Sequence, residues 1–299
     1  MKRFIVALLL CCTALPVFAG MKEADEAMKK EDYPAALKEF TALANKGDAE
    51  AQFKLGAMYG AGTGVEADDA KAFVWYRKAA EQNHAYAQWA VSASYGNGLG
   101  VAVSEADALK WLQKSADQSF ARAQNDLGDR YYDGTGVKQD FTEALAWYRK
   151  AAAQNYAMAQ RNIGYVYRFG KGAEINLDEA AKWYVKAADQ GLVVAEAELG
   201  SLYMQRKQFL EGLIWLTKAA EEGNTDAIID IGIAYAKGDG VKQDLPGAYM
   251  FIVLAADLGH NKRAINIKEK LATLLSEDEK KRASAEALRW GMQHQYMMK

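Results

Sequence analysis

The dipeptide Ala-Gln begins at Ala51, Ala87, Ala123 and Ala159, each 36 residues after the last. Trp75, Trp111, Trp147 and Trp183 keep the same step, as do Tyr59, Tyr95, Tyr131, Tyr167 and Tyr203. A fixed period of roughly 20–50 residues is the mark of a stacked repeat, in which each unit buries its apolar face only against its neighbours. The clearest copy, Ala123–Ala152, reads AQNDLGDRYYDGTGVKQDFTEALAWYRKAA. Residues shared with the other copies build the scaffold. Those that differ, Asn125, Asp129 and Tyr132 among them, are where individuality is written.

Each unit reads as two helices. In the first, Ala51, Leu55-Gly56 and Tyr59 fall on one helical face; in the second, Ala72, Trp75 and Ala79 do the same. A glycine-rich loop joins them, as at Gly60-Ala61-Gly62-Thr63-Gly64-Val65 and Gly96-Asn97-Gly98-Leu99-Gly100-Val101. Asp140 with Glu143, Asn176 with Glu179 and Ser276 with Glu279 have capping-box spacing. Asp32 stands where a cap is needed, with Pro34 in the first turn that follows. Asn83, Asn155 and Gly191 end second helices with residues that accept a left-handed conformation. No strand signal interrupts the pattern, so the fold class is all-α. A hydrophobic fraction of 51% with three prolines argues against disorder.

The period breaks once. From Trp183 to Trp215 is 32 residues, and after Tyr203 the chain reads Met204-Gln205-Arg206-Lys207 with no glycine loop. This predicts a shortened turn inside one repeat. The final unit carries Phe251 in place of tryptophan. Asn261–Leu275 and Glu277–Met297 then read as two terminal helices, the second highly charged, as a capping element with one wet face requires.

Residues 1–19 are separate. Lys2 and Arg3 precede the apolar run Phe4–Leu10, and Val17-Phe18-Ala19 supplies small residues at the −3 and −1 sites, so cleavage after Ala19 is expected. The apolar core is too short to span a bilayer. Both cysteines, Cys11 and Cys12, lie in this leader, and Leu10 before Cys11 argues against a lipid anchor. The mature chain would have neither disulfide nor thiolate metal site. Loss of Lys2 and Arg3 takes the formal net charge from −2 to −4. That gives no electrostatic reason for binding nucleic acid or an anionic membrane, and no membrane insertion is expected after cleavage. The expected layout is leader 1–19, repeat solenoid 20–259 with about six to seven units, and capping helices 260–299. The expected location is the periplasm or the exterior of a bacterial cell.

Ala-Gln-x-x-Leu-Gly-x-x-Tyr, then Gly-x-Gly-Val, then Ala-x-x-Trp-Tyr-x-Lys-Ala-Ala, resembles the Sel-one-like repeat, a relative of the tetratricopeptide repeat. The resemblance runs from Tyr33 to Gly259 in about six copies. The end of the chain, through Ala248-Tyr249, Leu254-Ala255-Ala256, Leu274-Leu275-Ser276 and Trp290, is similar to a cap of bacterial members. The resemblance implies αα-hairpins stacked in a right-handed superhelical solenoid that serves as a protein-binding scaffold. One secreted subgroup joins each repeat with a disulfide, and some of its members were labelled β-lactamases. The cysteine-free mature chain departs from that subgroup.

Carriers of other chemistry are missing from the sequence. There is no Gly-x-x-x-x-Gly-Lys-Ser/Thr, no Ser-x-x-Lys, no Lys-Thr-Gly and no His-Glu-x-x-His. His84, His260 and His294 lack metal-ligand spacing. The tryptophan ladder reads as inter-repeat core. Catalytic, metal and cofactor sites are accordingly expected to be absent.

The resemblance also implies that first helices line a concave face. Its variable positions hold Phe53, Tyr86, Trp89, Asn125, Asp129, Tyr132, Met158, Arg161, Tyr165 and Arg168. Aromatics and arginine are enriched in binding hot spots, so these residues are the expected contacts for a protein or an extended peptide. A second reading has Trp89 and Tyr165 packing against the next repeat. The expected function is a non-enzymatic adaptor. An immunity protein that neutralises a secreted toxin is the alternative, and a cell-wall or β-lactam-related enzyme a remote one. The oligomeric state is open.

Overall fold

The computed structural model describes residues 15–259 and 261–294. Among them are sixteen α-helices and no strand. By internal contacts the chain divides into two compact units, 1–151 and 152–299. In the first lie α1 (Leu15–Lys29), α2 (Tyr33–Asn45), α3 (Ala49–Ala61), α4 (Asp69–Glu81), α5 (Ala85–Asn97), α6 (Glu105–Asp117) and α7 (Ala121–Asp133); α8 (Phe141–Ala152) closes it. In the second lie α9 (Ala157–Phe169), α10 (Leu177–Ala188), α11 (Val193–Gln205), α12 (Phe209–Glu221), α13 (Thr225–Lys237), α14 (Leu245–Gly259), α15 (Lys262–Ala272) and α16 (Glu277–Gln293). Within each unit, successive helices pack in antiparallel hairpins, the paired-helix fold class that the sequence implied.

The helix starts follow from short polar side chains that satisfy orphan amides. Asp32, Asp48, Asp68 and Asn224 each accept a bond from the amide three residues on. Asn176 accepts from two amides, and Ser276 with Glu279 forms a complete capping box. In the loops, Gly62 closes α3 at φ +68°, and a Cβ at Gly100 would fall 2.1 Å from the Asp69 carbonyl. Glycine is therefore required at Gly100 for both conformation and close approach. At the shortened turn, α11 ends at Gln205 and α12 begins at Phe209, with Lys207 at φ +61° in place of glycine. The four-residue deletion in the period is thus confined to this turn.

A second feature fixes how the two helices of a hairpin meet. A Cβ at Gly56 would lie 2.7 Å from the Tyr76 ring, at Gly128 2.6 Å from Tyr148, and at Gly164 2.7 Å from Tyr184. In α11 and α13 the same slot takes Leu216 against Gly200 and Ile252 against Gly232. In α5 the glycine is replaced by Ser92, and the facing residue is the smaller Leu112. The Ser92 hydroxyl donates 2.7 Å to the Ala108 carbonyl. The glycine's helix-propensity cost of about 1 kcal/mol is offset by burial of the side chain it admits.

The repeated glutamine has an equally definite role. Gln52, Gln88 and Gln124 donate from Nε2 to the carbonyls of Ala44, Ala80 and Ala116, at the end of the preceding hairpin. Gln82, Gln118 and Gln190 in turn donate 2.7 Å to the Oε1 of Gln52, Gln88 and Gln160. Each buried amide thereby spans from one repeat to the next. Position 196 occupies this register with glutamate. Its side chain is 2% exposed, one oxygen meets Lys218 Nζ at 2.6 Å, and the other has no partner. A carboxylate cannot donate as the glutamines do.

Trp111, Trp147 and Trp215 belong to or pack on core clusters, as expected of the ladder. Trp75 packs on the cluster of Phe40, Leu43 and Leu55, and Trp147 is 7% exposed. A lysine three residues on covers each outer ring face: Lys78, Lys114, Lys150 and Lys186 lie 3.9, 4.2, 3.3 and 4.0 Å from the ring centres.

Most of the expected leader, residues 1–14, lies outside the described residues. Helix α1 begins at Leu15, and its backbone runs on past Ala19. Among its described side chains, Ala24 is fully buried with Phe40, and Met21 and Met28 pack on the same cluster. No helix among the described residues is long and apolar enough to cross a membrane.

Candidate partner-binding surface

First-helix positions two before the conserved leucine, one after the glycine and one after the tyrosine share a face, since they are separated by about one and two helical turns. In the first unit this face carries an aromatic strip. Phe53 of α3 stacks on His84 at 5.1 Å and lies 5.9 Å from Tyr86. Tyr86 of α5 lies 4.2 Å from Phe120, and it is 53% exposed.

His84 is a cap as well as a platform. Its Nδ1 accepts from the Ala87 amide at 3.2 Å, which places the proton on Nε2, 2.9 Å from Glu50 Oε2. The hydrogen bond from His84 is the main reason the Glu50 carboxyl is held below its ordinary pKa.

Other members of the face are bonded to the protein itself. Trp89 is half-buried; its indole N–H donates 2.7 Å to Asp126, and the Arg122 guanidinium lies 4.0 Å from its ring centre. Its packing against the following hairpin is the second of the two sequence readings. Asn125 is buried and donates to Asp129 at 3.0 Å; the other Asp129 oxygen accepts from the Tyr148 hydroxyl at 2.7 Å. Burial pushes the Tyr148 phenol up, and Asp129 adds to this, so the hydroxyl stays a donor. Tyr132 meets Phe141 edge-on at 5.0 Å.

In the second unit, Arg161 of α9 grips Glu198 of α11 with Nε and Nη2, one bond to each carboxylate oxygen. Burial opposes the charge on Arg161, but the Glu198 bonds outweigh it and raise its pKa. Tyr165 lies 5.3 Å from Arg161 and 4.5 Å from Phe169. Met158 is 37% exposed. Ser201 of α11 donates 2.5 Å to Asp230 of α13, which also accepts from Arg263 at 2.8 Å. Arg161, Arg168, Glu198, Ser201, Asp230 and Arg263 line a groove of about 480 Å³.

The sequence reading did not single out Glu198, Asp230 or Arg263. The signal was present: Asp126 and Glu198 stand 37 residues, one period plus one, after the donors Trp89 and Arg161. Among the described residues, no three His, Cys, Asp or Glu side chains are grouped to hold a metal.

The Sel1 repeat model matches six consecutive segments, 49–84, 85–120, 121–156, 157–192, 193–224 and 225–260. The 32-residue fifth segment is the one with the shortened turn. A Sel1 repeat protein from Oxalobacter formigenes is similar at 29% identity and a TM-score of 0.70, over 90% of this chain and 98% of that one. A protective antigen of uropathogenic Escherichia coli with an SLR fold shares the fold at 24% identity and a TM-score of 0.63, over 93% of this chain and 69% of that one. No curated protein matches. Six matched segments cover well over half of the sequence, and the chain belongs to the Sel1 repeat family.

Proposed function

We propose that this protein is a non-enzymatic adaptor of the bacterial periplasm or cell exterior, which binds another protein through the first-helix face of its hairpins. Proteins built of Sel1 repeats generally serve as interaction scaffolds without catalysis. The observation that carries the reading is Tyr86, a large aromatic more than half exposed on an otherwise packed aromatic strip. An amphipathic ring held by its neighbours offers contact area at low entropic cost. Met158 offers exposed apolar area on the second unit, and Phe53 packs beside Tyr86.

The location rests on Lys2-Arg3, the apolar run and Val17-Phe18-Ala19. Helices α15 and α16 are assigned as the C-terminal cap. Capture from envelope extract by tagged protein tests the adaptor reading. A specific partner retained by wild type and lost by Tyr86→Ala, with thermal stability unchanged, supports it. Equal retention by both proteins contradicts the assigned face.

A further inference from the structure

The groove in the second unit holds three arginines whose circumstances differ. Arg161 is matched by Glu198 and Arg263 by Asp230. Arg168 of α9 has no carboxylate partner. Of its five N–H donors, Nη1 makes one bond of 3.2 Å to the Glu198 backbone carbonyl, and Nε is buried with no acceptor. The Tyr184 hydroxyl faces it. Tyr184 is fully buried, and Arg168 is the polar side chain that its hydroxyl meets. In the preceding hairpin the equivalent Tyr148 is satisfied by Asp129, but Tyr165 stands at the position that Asp129 occupies there.

A partly desolvated guanidinium with unmet donors lacks the compensation that buried charges normally find. Because Nε is closed off from solvent, a ligand in the groove meets the Nη edge of the guanidinium, whose two nitrogens can hold a carboxylate in bidentate geometry. Glu198 cannot turn to serve it, because both of its oxygens are held by Arg161. Glu198, Asp226 and Asp230 also line the groove, so its field opposes a polyanion and tolerates one isolated negative charge. We propose that Arg168 is the anchor for a single carboxylate of a bound peptide, either an acidic side chain or a free C-terminus. This rests on the adaptor reading and adds the chemistry by which its groove selects a ligand.

The test is a titration of full-length protein followed by nuclear magnetic resonance at the Arg168 Nε–H and the Ser201 amide. Four probes are used: acetyl-Ala-Glu-Ala-amide, acetyl-Ala-Ala-Ala with a free carboxylate, acetyl-Ala-Gln-Ala-amide and inorganic phosphate. Saturable shifts with one or both carboxylate peptides are expected, with the tighter of the two naming the source, and none with the glutamine peptide. At Ser201, Arg168→Gln should abolish the response and Arg263→Gln retain it. Arg168→Lys, which keeps the charge and loses the fork, should weaken binding at least threefold and guards against misfolding of the glutamine variant.

Equal shifts with the glutamine peptide, a response to phosphate alone, or an unchanged response in either Arg168 variant would overturn the proposal. A protein partner lost by Tyr86→Ala but held normally by Arg168→Gln would overturn this anchor and leave the adaptor reading standing.

Discussion

Tyr184 lies against Gly164 so closely that a Cβ on the glycine would sit 2.7 Å from two ring carbons. Gly164→Ala is therefore expected to destabilise the protein by about 1–3 kcal/mol, the usual cost of overpacking, although alanine is the better helix former. Thermal unfolding checks this. A higher Tm for the alanine variant would show that the slot is not tight.

Gln88 is expected to matter more than its exposed partner. Gln88→Ala removes three side-chain bonds at once, to the Ala80 carbonyl, to Asn83 and from Gln118, and should cost about 1–3 kcal/mol. Gln118→Ala, at the exposed end of the same ladder, should cost less than about 1 kcal/mol. Chemical denaturation of the two variants gives the comparison, and equal losses would remove the distinction.

Position 196 offers a change in the opposite direction. Glu196→Gln restores a donor to a register where three glutamines bond to carbonyls, and removes a buried charge. Replacement of a buried ionic group by one that fits often stabilises a fold. A gain of about 1 kcal/mol is expected. Lys218→Ala, which strands the carboxylate, should lower stability. A loss of stability on Glu196→Gln would mean that the ion pair itself is preferred there.

Glu50 ties α3 to His84, and its folded pKa lies below its ordinary value of 4.5. A group with a depressed folded pKa adds stability that is present above the unfolded value and lost as pH falls through the folded one. Wild type should therefore lose stability below about pH 4.5 more steeply than Glu50→Gln. Denaturant midpoints between pH 3 and 6 would measure this. Parallel curves would rule out a contribution from Glu50.

Much of the fold was legible because a repeat states its rules several times. The 36-residue step, the caps at Asp32, Asn176 and Ser276, and the missing loop after Tyr203 each rest on local chemistry that acts within a few residues. The surface was harder to read. Trp89 and Arg161 have the composition of contact residues, but their nearest polar partners, Asp126 and Glu198, come from the next repeat. A bond made across one period is invisible to a local window and visible only when the copies are aligned. Glu196 is inconspicuous in the sequence for a related reason: one departure from Ala-Gln looks minor until the carbonyl that glutamine serves is seen.

The most direct test of the adaptor account is the affinity of the captured partner, measured by calorimetry, for wild type and two double variants. Tyr86→Ala/Met158→Ala alters exposed side chains of first helices, and Leu210→Ser/Ile214→Ser alters still more exposed side chains of a second helix. The account expects the first pair to weaken binding at least tenfold and the second pair to leave it unchanged. Loss of affinity confined to the Leu210→Ser/Ile214→Ser protein would contradict it.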